Sequence, residues 1–344
     1  LGFPIWVAQA DVLEARERGL SVVAVADPAE PALSAMTGIT TLNPGTDLGE
    51  ILRTCAQRAA MPPQPRPAKG ATGRCLAVWG AKGGPGKSTI AFELASALSD
   101  CSGSVVLVDG DPYGGDLMQL AGITDEIPSI VWAARMAGKG ELNEETIRRS
   151  FGRMGKGGAI LLPGLPRPSL WADVSIRGWV KLINVLGGIF RWLVIDAGFC
   201  FEPDPAPFRN EDEGRNSMTR RALTSADQIV AVCRSDPIGM KQFLWGFEAL
   251  SEIVNTENVV VVANRVARQD RADVIRLLER HTGASRIHVF PDRPDLVRDA
   301  ALAGRAIFER HKNSDLGRAI AELCDGLGAR PPARGFMSRL ARGA

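Results

Sequence analysis

The sequence predicts an α/β protein whose main part is a doubly wound, mostly parallel sheet, preceded by a smaller α/β unit. Three observations carry this reading. From residue 75 onward, short apolar runs alternate with helical patterns. Several of those runs are apolar at every position instead of every second one, as expected for strands that helices cover on both faces. A stretch dense in proline separates them from a shorter α/β pattern upstream.

The upstream unit spans residues 1–61. Residues 21–27 read as a buried strand that stops at Asp27-Pro28, and 39–42 as a second strand. Residues 47–59 read as an amphipathic helix, because Leu48, Ile51, Leu52 and Cys55 share one face. Residues 62–73 begin Pro-Pro-Gln-Pro-Arg-Pro, a composition that favours extended or turning backbone and marks a linker. The main domain spans residues 74–328. Its apolar runs lie at 75–79, 104–108, 159–162, 192–195, 229–233, 259–262 and 287–290, with helical patterns between them, among others at 88–98, 240–254 and 271–282. In a sheet of this kind ligands collect at the carboxyl ends of the strands. Residues 329–344 form a basic tail, and no internal repeat is present.

Composition narrows the function. The 41 Lys and Arg nearly balance the 39 Asp and Glu and are mixed along the chain, so any basic surface must be local. Cys55, Cys75, Cys101, Cys200, Cys233 and Cys324 form no CxxC pair, which argues against zinc and against a disulfide framework and suits reduced, cytoplasmic thiols. No apolar run approaches the roughly 20 residues of a spanning helix, and no secretory start is present. His281, His288 and His311 are too scattered for metal or triad chemistry.

The sharpest signal is Ala-Lys-Gly-Gly-Pro-Gly-Lys-Ser-Thr at 81–89, directly after the apolar run at 75–79 and directly before the helix that starts at Ser88. Gly83, Gly84 and Gly86, with Pro85 among them, let backbone N–H groups converge on phosphate oxygens, and the helix N-terminus adds the positive end of its dipole. Lys87 would reach the β- and γ-phosphates, the Ser88 hydroxyl would ligate Mg²⁺, and Thr89 is a further candidate for binding the nucleotide. One position departs from G-x-x-x-x-G-K-[ST]: Ala81 stands first, with Gly80 just before it.

A second lysine, Lys82, makes the loop more specific. Lys-Gly-Gly-Pro-Gly-Lys-Ser-Thr resembles the deviant Walker A loop, KGGxGK[ST], of the ParA/MinD ATPases, a P-loop NTPase family. The resemblance implies ATP and Mg²⁺ as cofactors and a face-to-face homodimer in which Lys82 reaches the phosphates of the partner subunit. A cation placed there stabilises charge developing during phosphoryl transfer and rewards dimerisation only when the γ-phosphate is present. Further segments are similar to the family's in order. The buried strand ending Asp109-Gly110-Asp111-Pro112 resembles the D-x-D-P motif, which implies that Asp111 positions or activates the attacking water and that Asp109 supports the metal shell. A strand-terminal Asp109 also suits a turn cap. Asp196, ending the run at 192–195, matches Walker B and would hold magnesium through water, with Gly198 as a hinge toward the γ-phosphate. Asn264-Arg265 resembles the segment whose asparagine reads the adenine edge, and Phe290-Pro291-Asp292 the segment beside the base.

Outside these motifs the chain departs from its relatives. Residues 199–221, with the acidic run Glu211, Asp212 and Glu213, read as an enlarged loop next to the switch. The first 61 residues resemble the last part of a response-regulator receiver, with Asn43-Pro44 where receivers usually carry Lys-Pro, and read as a degenerate receiver used for contact. A degenerate receiver before such an ATPase resembles the CpaE/TadZ branch, which places pilus machinery at cell poles, and also actinobacterial MinD-like septum-site proteins. In the tail, Phe336, Met337, Leu340 and Ala341 share one helical face, opposite Ser338, Arg339 and Arg342. This resembles the membrane-targeting tail of MinD, and the composition equally suits an unstructured basic terminus. The expected protein is a slow, partner-stimulated ATPase, cytoplasmic and peripheral at the inner face of the plasma membrane, that positions pilus or division machinery. Two alternatives stand beside it: a ParA-like DNA segregator using Arg220, Arg221, Arg265, Arg268 and Arg271, and a nucleotide-binding scaffold without turnover.

Overall fold

A computed structural model describes residues 23–25, 40–42, 45–47, 73–124, 127–155, 158–203 and 214–329. The chain divides into two compact units, Leu1–Gly70 and Ala71–Ala344, at a point inside the proline-rich stretch. In the first unit β1 (Val23–Val25) pairs in parallel with β2 (Thr40–Leu42), and the helix expected at 47–59 lies outside the described residues beyond Asp47.

The second unit is built on seven parallel strands, β3 (Arg74–Gly80), β4 (Val105–Gly110), β5 (Ile160–Leu162), β6 (Trp192–Ala197), β7 (Gln228–Arg234), β8 (Val259–Val266) and β9 (Ile287–Pro291). Their order across the sheet is β5-β4-β6-β3-β7-β8-β9. Every apolar run of the main domain is one of these strands, and the doubly wound parallel sheet is as the sequence predicts. The reason is visible in the burial: alternate residues of each strand feed opposite layers. Leu76, Val78, Leu107 and Val194 pack under α1 (Lys87–Ser102) and α11 (Asp315–Gly326). On the other face Val106, Val108, Leu193 and Ile195 meet α3 (Ile130–Lys139) and α5 (Ile176–Ile189). Ala77, Trp79, Ala231 and Val261 meet α7 (Pro237–Ile253) and α8 (Arg271–Thr282). Shorter helices α2 (Leu117–Leu120), α4 (Glu144–Ser150), α6 (Ser217–Ser225), α9 (Pro294–Leu302) and α10 (Ile307–Arg310) complete the layers. Because α6 starts at Ser217, the loop expected to run to residue 221 ends earlier; residues 204–213 lie outside the described residues.

One buried charge ties the two ends of this unit. Glu93, on α1 and only 3% exposed, accepts the backbone N–H groups of Ile307 and Phe308, each at 2.8 Å, and so caps the start of α10. Burial pushes its carboxyl up to about 7, against the pull of those two N–H donors, and the charge of Glu309 adds to the rise. A native pKa above the unfolded value means that the folded state holds the proton more tightly. Stability from this group is therefore full below the unfolded pKa near 4.5 and falls as pH rises to about 7. Glutamine has no such titration. Between pH 4.5 and 8 the stability of Glu93→Gln relative to wild type should rise by about 3 kcal/mol, measured by urea unfolding at both pH values. A gap that stays constant across this range would show that Glu93 titrates normally.

Candidate active site

Strand β6 lies between β3 and β4, so the segments leaving the carboxyl ends of three adjacent strands open onto one place. From β3 comes the phosphate loop. Gly83, Gly84 and Gly86 have φ of 113°, 64° and 94°, values that an L side chain rarely adopts. The departure at Ala81 has a structural explanation. Ala81 is buried with Trp79 and Phe243, whereas a Cβ on Gly80 would lie 2.6 Å from the Pro85 ring, so the loop's closure demands glycine one residue earlier. Helix α1 starts at Lys87 with no side-chain cap and no acidic residue in its first turn. Its first N–H groups therefore face the loop with the dipole unopposed, the arrangement that favours a bound anion.

Beneath the loop, Lys87 turns inward. Its Nζ lies 2.8 Å from Asp111 Oδ2 and 3.3 Å from Asp196 Oδ1, with side-chain exposures of 12%, 11% and 1% for Lys87, Asp111 and Asp196. Burial opposes charge on Lys87, but Asp196 and Asp111, helped by Asp109, outweigh it and hold the ammonium above the usual lysine range. Burial pushes the Asp196 carboxyl up, while Lys87 and the Ser88 hydroxyl pull it down without cancelling the rise. Asp196 Oδ2 is buried and has no hydrogen-bond partner among the described residues. Hard oxygen donors of this kind, an unengaged carboxylate oxygen and a hydroxyl, fit Mg²⁺, which is commonly held by one or two carboxylates together with substrate phosphates. Among the described residues no cluster of three His, Cys, Asp or Glu forms a ready-made metal cage.

Asp109 lies directly across from Asp196 in the β4–β6 register. Burial and the charge of Asp196 push its carboxyl up. Its oxygens accept the N–H groups of Asp111, at 3.4 Å, and Leu117, at 3.3 Å, so it braces the turn after β4 as the capping alternative anticipates. Ser88 and Asp196 are the groups beside the Lys87 ammonium, at 3.5 and 3.3 Å.

The far wall comes from β8. Its register shifts between Ala263 and Val266, and the irregularity carries Arg265 in the left-handed region, φ 57°, where the Ser235 hydroxyl donates to its carbonyl at 2.7 Å. Bulges of this kind re-aim side chains near sites. Here Asn264 Nδ2 donates to the Pro85 carbonyl at 2.8 Å and its Oδ1 accepts from the Arg265 N–H at 3.0 Å. The amide expected at the adenine edge is thus a strut between β8 and the phosphate loop, and a Cβ on Gly86 would sit 2.5 Å from it. Pro291 pairs with Val266 at the end of β9, on the neighbouring strand. Lys82 is exposed.

Residues 76–302 match the family described as the CobQ/CobB/MinD/ParA nucleotide binding domain. The chain belongs to this family. Over 248 residues it is 23% identical to an uncharacterized ATP-binding protein of Methanocaldococcus jannaschii, covering 72% of this chain and 85% of that one. A ParA family ATPase of Chlorobium tepidum shares the fold with a TM-score of 0.59 at 19% identity, over 73% of this chain and 98% of that one. The septum site-determining protein MinD of Pyrococcus horikoshii, solved with Mg-ADP, gives 0.56 at 18% identity, over 74% and 95%.

This MinD/ParA-type domain also contains a cluster without a sequence signal. The Tyr113 ring packs on Phe199, centroids 4.7 Å apart, and the Arg215 guanidinium lies 4.0 Å from the ring centre. Arg215 donates to the Pro112 carbonyl, at 3.1 and 3.2 Å, and the Tyr113 hydroxyl donates to Asn216 at 2.8 Å. The turn after β4 and the segment after β6 are thereby fastened together beside Asp111, by residues too far apart in the chain for any pattern to join. The tail residues Phe336, Met337 and Leu340 lie outside the described residues. Among the described residues no helix is long and apolar enough to cross a membrane.

Proposed function

We propose that the protein is an ATPase acting as a spatial switch. ATP with Mg²⁺ closes two copies face to face, the dimer binds a cellular surface and its protein partners, and slow hydrolysis releases it. The observation that most supports this is the contrast between the two lysines of one loop: Lys87 is paired with Asp111 and Asp196, while Lys82 is exposed. The Mg-ADP bound by the MinD relative supports the cofactors. When bound, Mg²⁺ would be held by Ser88 and Asp196 and would neutralise phosphate charge. Lys87 would exchange its carboxylate partners for the β- and γ-phosphates, and Asp111, relieved of its lysine, would face water as the base. We place the protein in the cytoplasm, peripheral at the inner face of the membrane through residues 334–344, in the service of pilus or division machinery.

Light scattering on the full chain tests the switch. With a non-hydrolysed ATP analogue and Mg²⁺ the wild type should double in mass, with ADP it should remain monomeric, and Lys82→Ala should remain monomeric with either. A wild type that stays monomeric with the analogue defeats the proposal. A second reading has its own observation: Arg265, near the end of β8, and Arg268 and Arg271, just past it, are exposed. They suit contacts to DNA phosphates. Co-sedimentation with anionic liposomes and with DNA, each with ATP and with ADP, separates the two surfaces, since DNA binding should weaken steeply with salt and liposome binding should vanish on deleting residues 334–344.

A further inference from the structure

Thr219, on α6, is fully buried at 0% exposure, and its hydroxyl has no hydrogen-bond partner among the described residues. Helical threonines commonly bond back to the carbonyl four residues earlier. Thr224 on the same helix does so with Arg220, at 3.0 Å, and Thr282 on α8 with Leu278, at 2.7 Å. Thr219 does not. Its hydroxyl instead lies against Gly198, the expected hinge after β6: a Cβ at Gly198 would lie 2.5 Å from Thr219 Oγ1, 2.8 Å from Pro112 Cδ and 3.5 Å from Asp111 Oδ1. An unengaged donor, the Pro112 ring and the carboxylate of Asp111 therefore close together around Gly198, an approach that a side chain at residue 198 would block.

The carboxylate needs such a donor at one stage of the cycle. Asp111 Oδ1 accepts the Tyr113 N–H at 2.9 Å, and Oδ2 takes Lys87 at 2.8 Å. Once a triphosphate draws Lys87 away, Asp111 is a nearly buried carboxylate that has lost its ionic partner, and such a group is held in place only by hydrogen bonds. We propose that Thr219 is a positioning residue for Asp111, its hydroxyl taking up the carboxylate across Gly198 when Lys87 moves to the phosphates. The inference rests on the ATPase reading. Hydrolysis itself is unchanged in its balance: water oxygen bonds to the γ-phosphorus, the bond to the β-bridging oxygen breaks, and the water proton passes to Asp111.

Three measurements on full-length Thr219→Val and Thr219→Ser test this: phosphate release, ATP affinity and the melting temperature without nucleotide. Valine is isosteric and removes an unsatisfied hydroxyl, so it should leave the melting temperature equal or higher. Its turnover should nevertheless fall by at least about tenfold with ATP affinity within about twofold, while serine, which keeps the hydroxyl, stays within about threefold of wild type. Turnover of the valine variant within about twofold of wild type overturns the proposal. So does a joint loss of turnover and melting temperature in both variants, which would mark a packing role. A wild type that binds ATP and releases no phosphate overturns the ATPase reading together with this inference, and its own flat trace identifies that case.

Discussion

A Lys87→Ala variant is expected to bind ATP roughly 100-fold more weakly and to unfold with about 3–5 kcal/mol less free energy than wild type. The two losses have one origin. Without nucleotide, Lys87 is the cation that compensates Asp111 and Asp196. Removing it strands Asp196, whose carboxyl burial already pushes up and whose second oxygen has no partner among the described residues. Replacing both members of a buried pair is commonly tolerated; removing one leaves an uncompensated charge. With nucleotide, the same ammonium is the charge that would meet the phosphates. Urea unfolding without ligand and calorimetric titration with Mg-ATP read the two effects separately. A stability loss below about 1 kcal/mol would mean that the three groups do not form a compensated cluster in solution.

Asp111→Ala should separate binding from turnover instead. Phosphate release should fall by about 10²–10⁴-fold, the range for loss of a positioned general base, while ATP affinity changes little, because Lys87 and the rest of the phosphate loop, which would hold the nucleotide, are untouched. With the ATP analogue this variant should still double in mass, and with ATP itself it should stay doubled far longer than wild type. Equal phosphate release by wild type and Asp111→Ala would instead make the chain a scaffold that holds nucleotide without turnover.

Much of this architecture was readable in the residues, for identifiable reasons. Continuous apolar runs announce parallel strands because helices dry both faces, and all seven were found. The phosphate loop was readable because its function depends on backbone geometry that only glycine adopts, so the chemistry is written into residue type. Side-chain partnerships were not readable. Asp109 ends a strand in the same manner as Asp196, yet one braces a turn and the other faces the loop, a difference set by which backbone N–H groups come near. Asn264 shows the same limit: its amide is engaged by Pro85, 179 residues away in the chain. Glu93, Thr219 and the Tyr113–Arg215 pair carry no local pattern, since their meaning arises only when distant segments meet.

The lateral alignment of the sheet has a further consequence. Asp196 stands beside Val78 on one flank and Asp109 on the other. Side chains alternate in direction along a strand, so sliding β6 by a single residue would swing Asp196 to the opposite layer and send Ile195 toward the phosphates. The unbroken apolar composition of β6 offers little to forbid that slip by hydrophobicity alone. The pairing of Lys87 with one carboxylate on β6 and one in the turn after β4 does forbid it, which makes the ion cluster a gauge that fixes where the strands stop as well as a place where chemistry occurs.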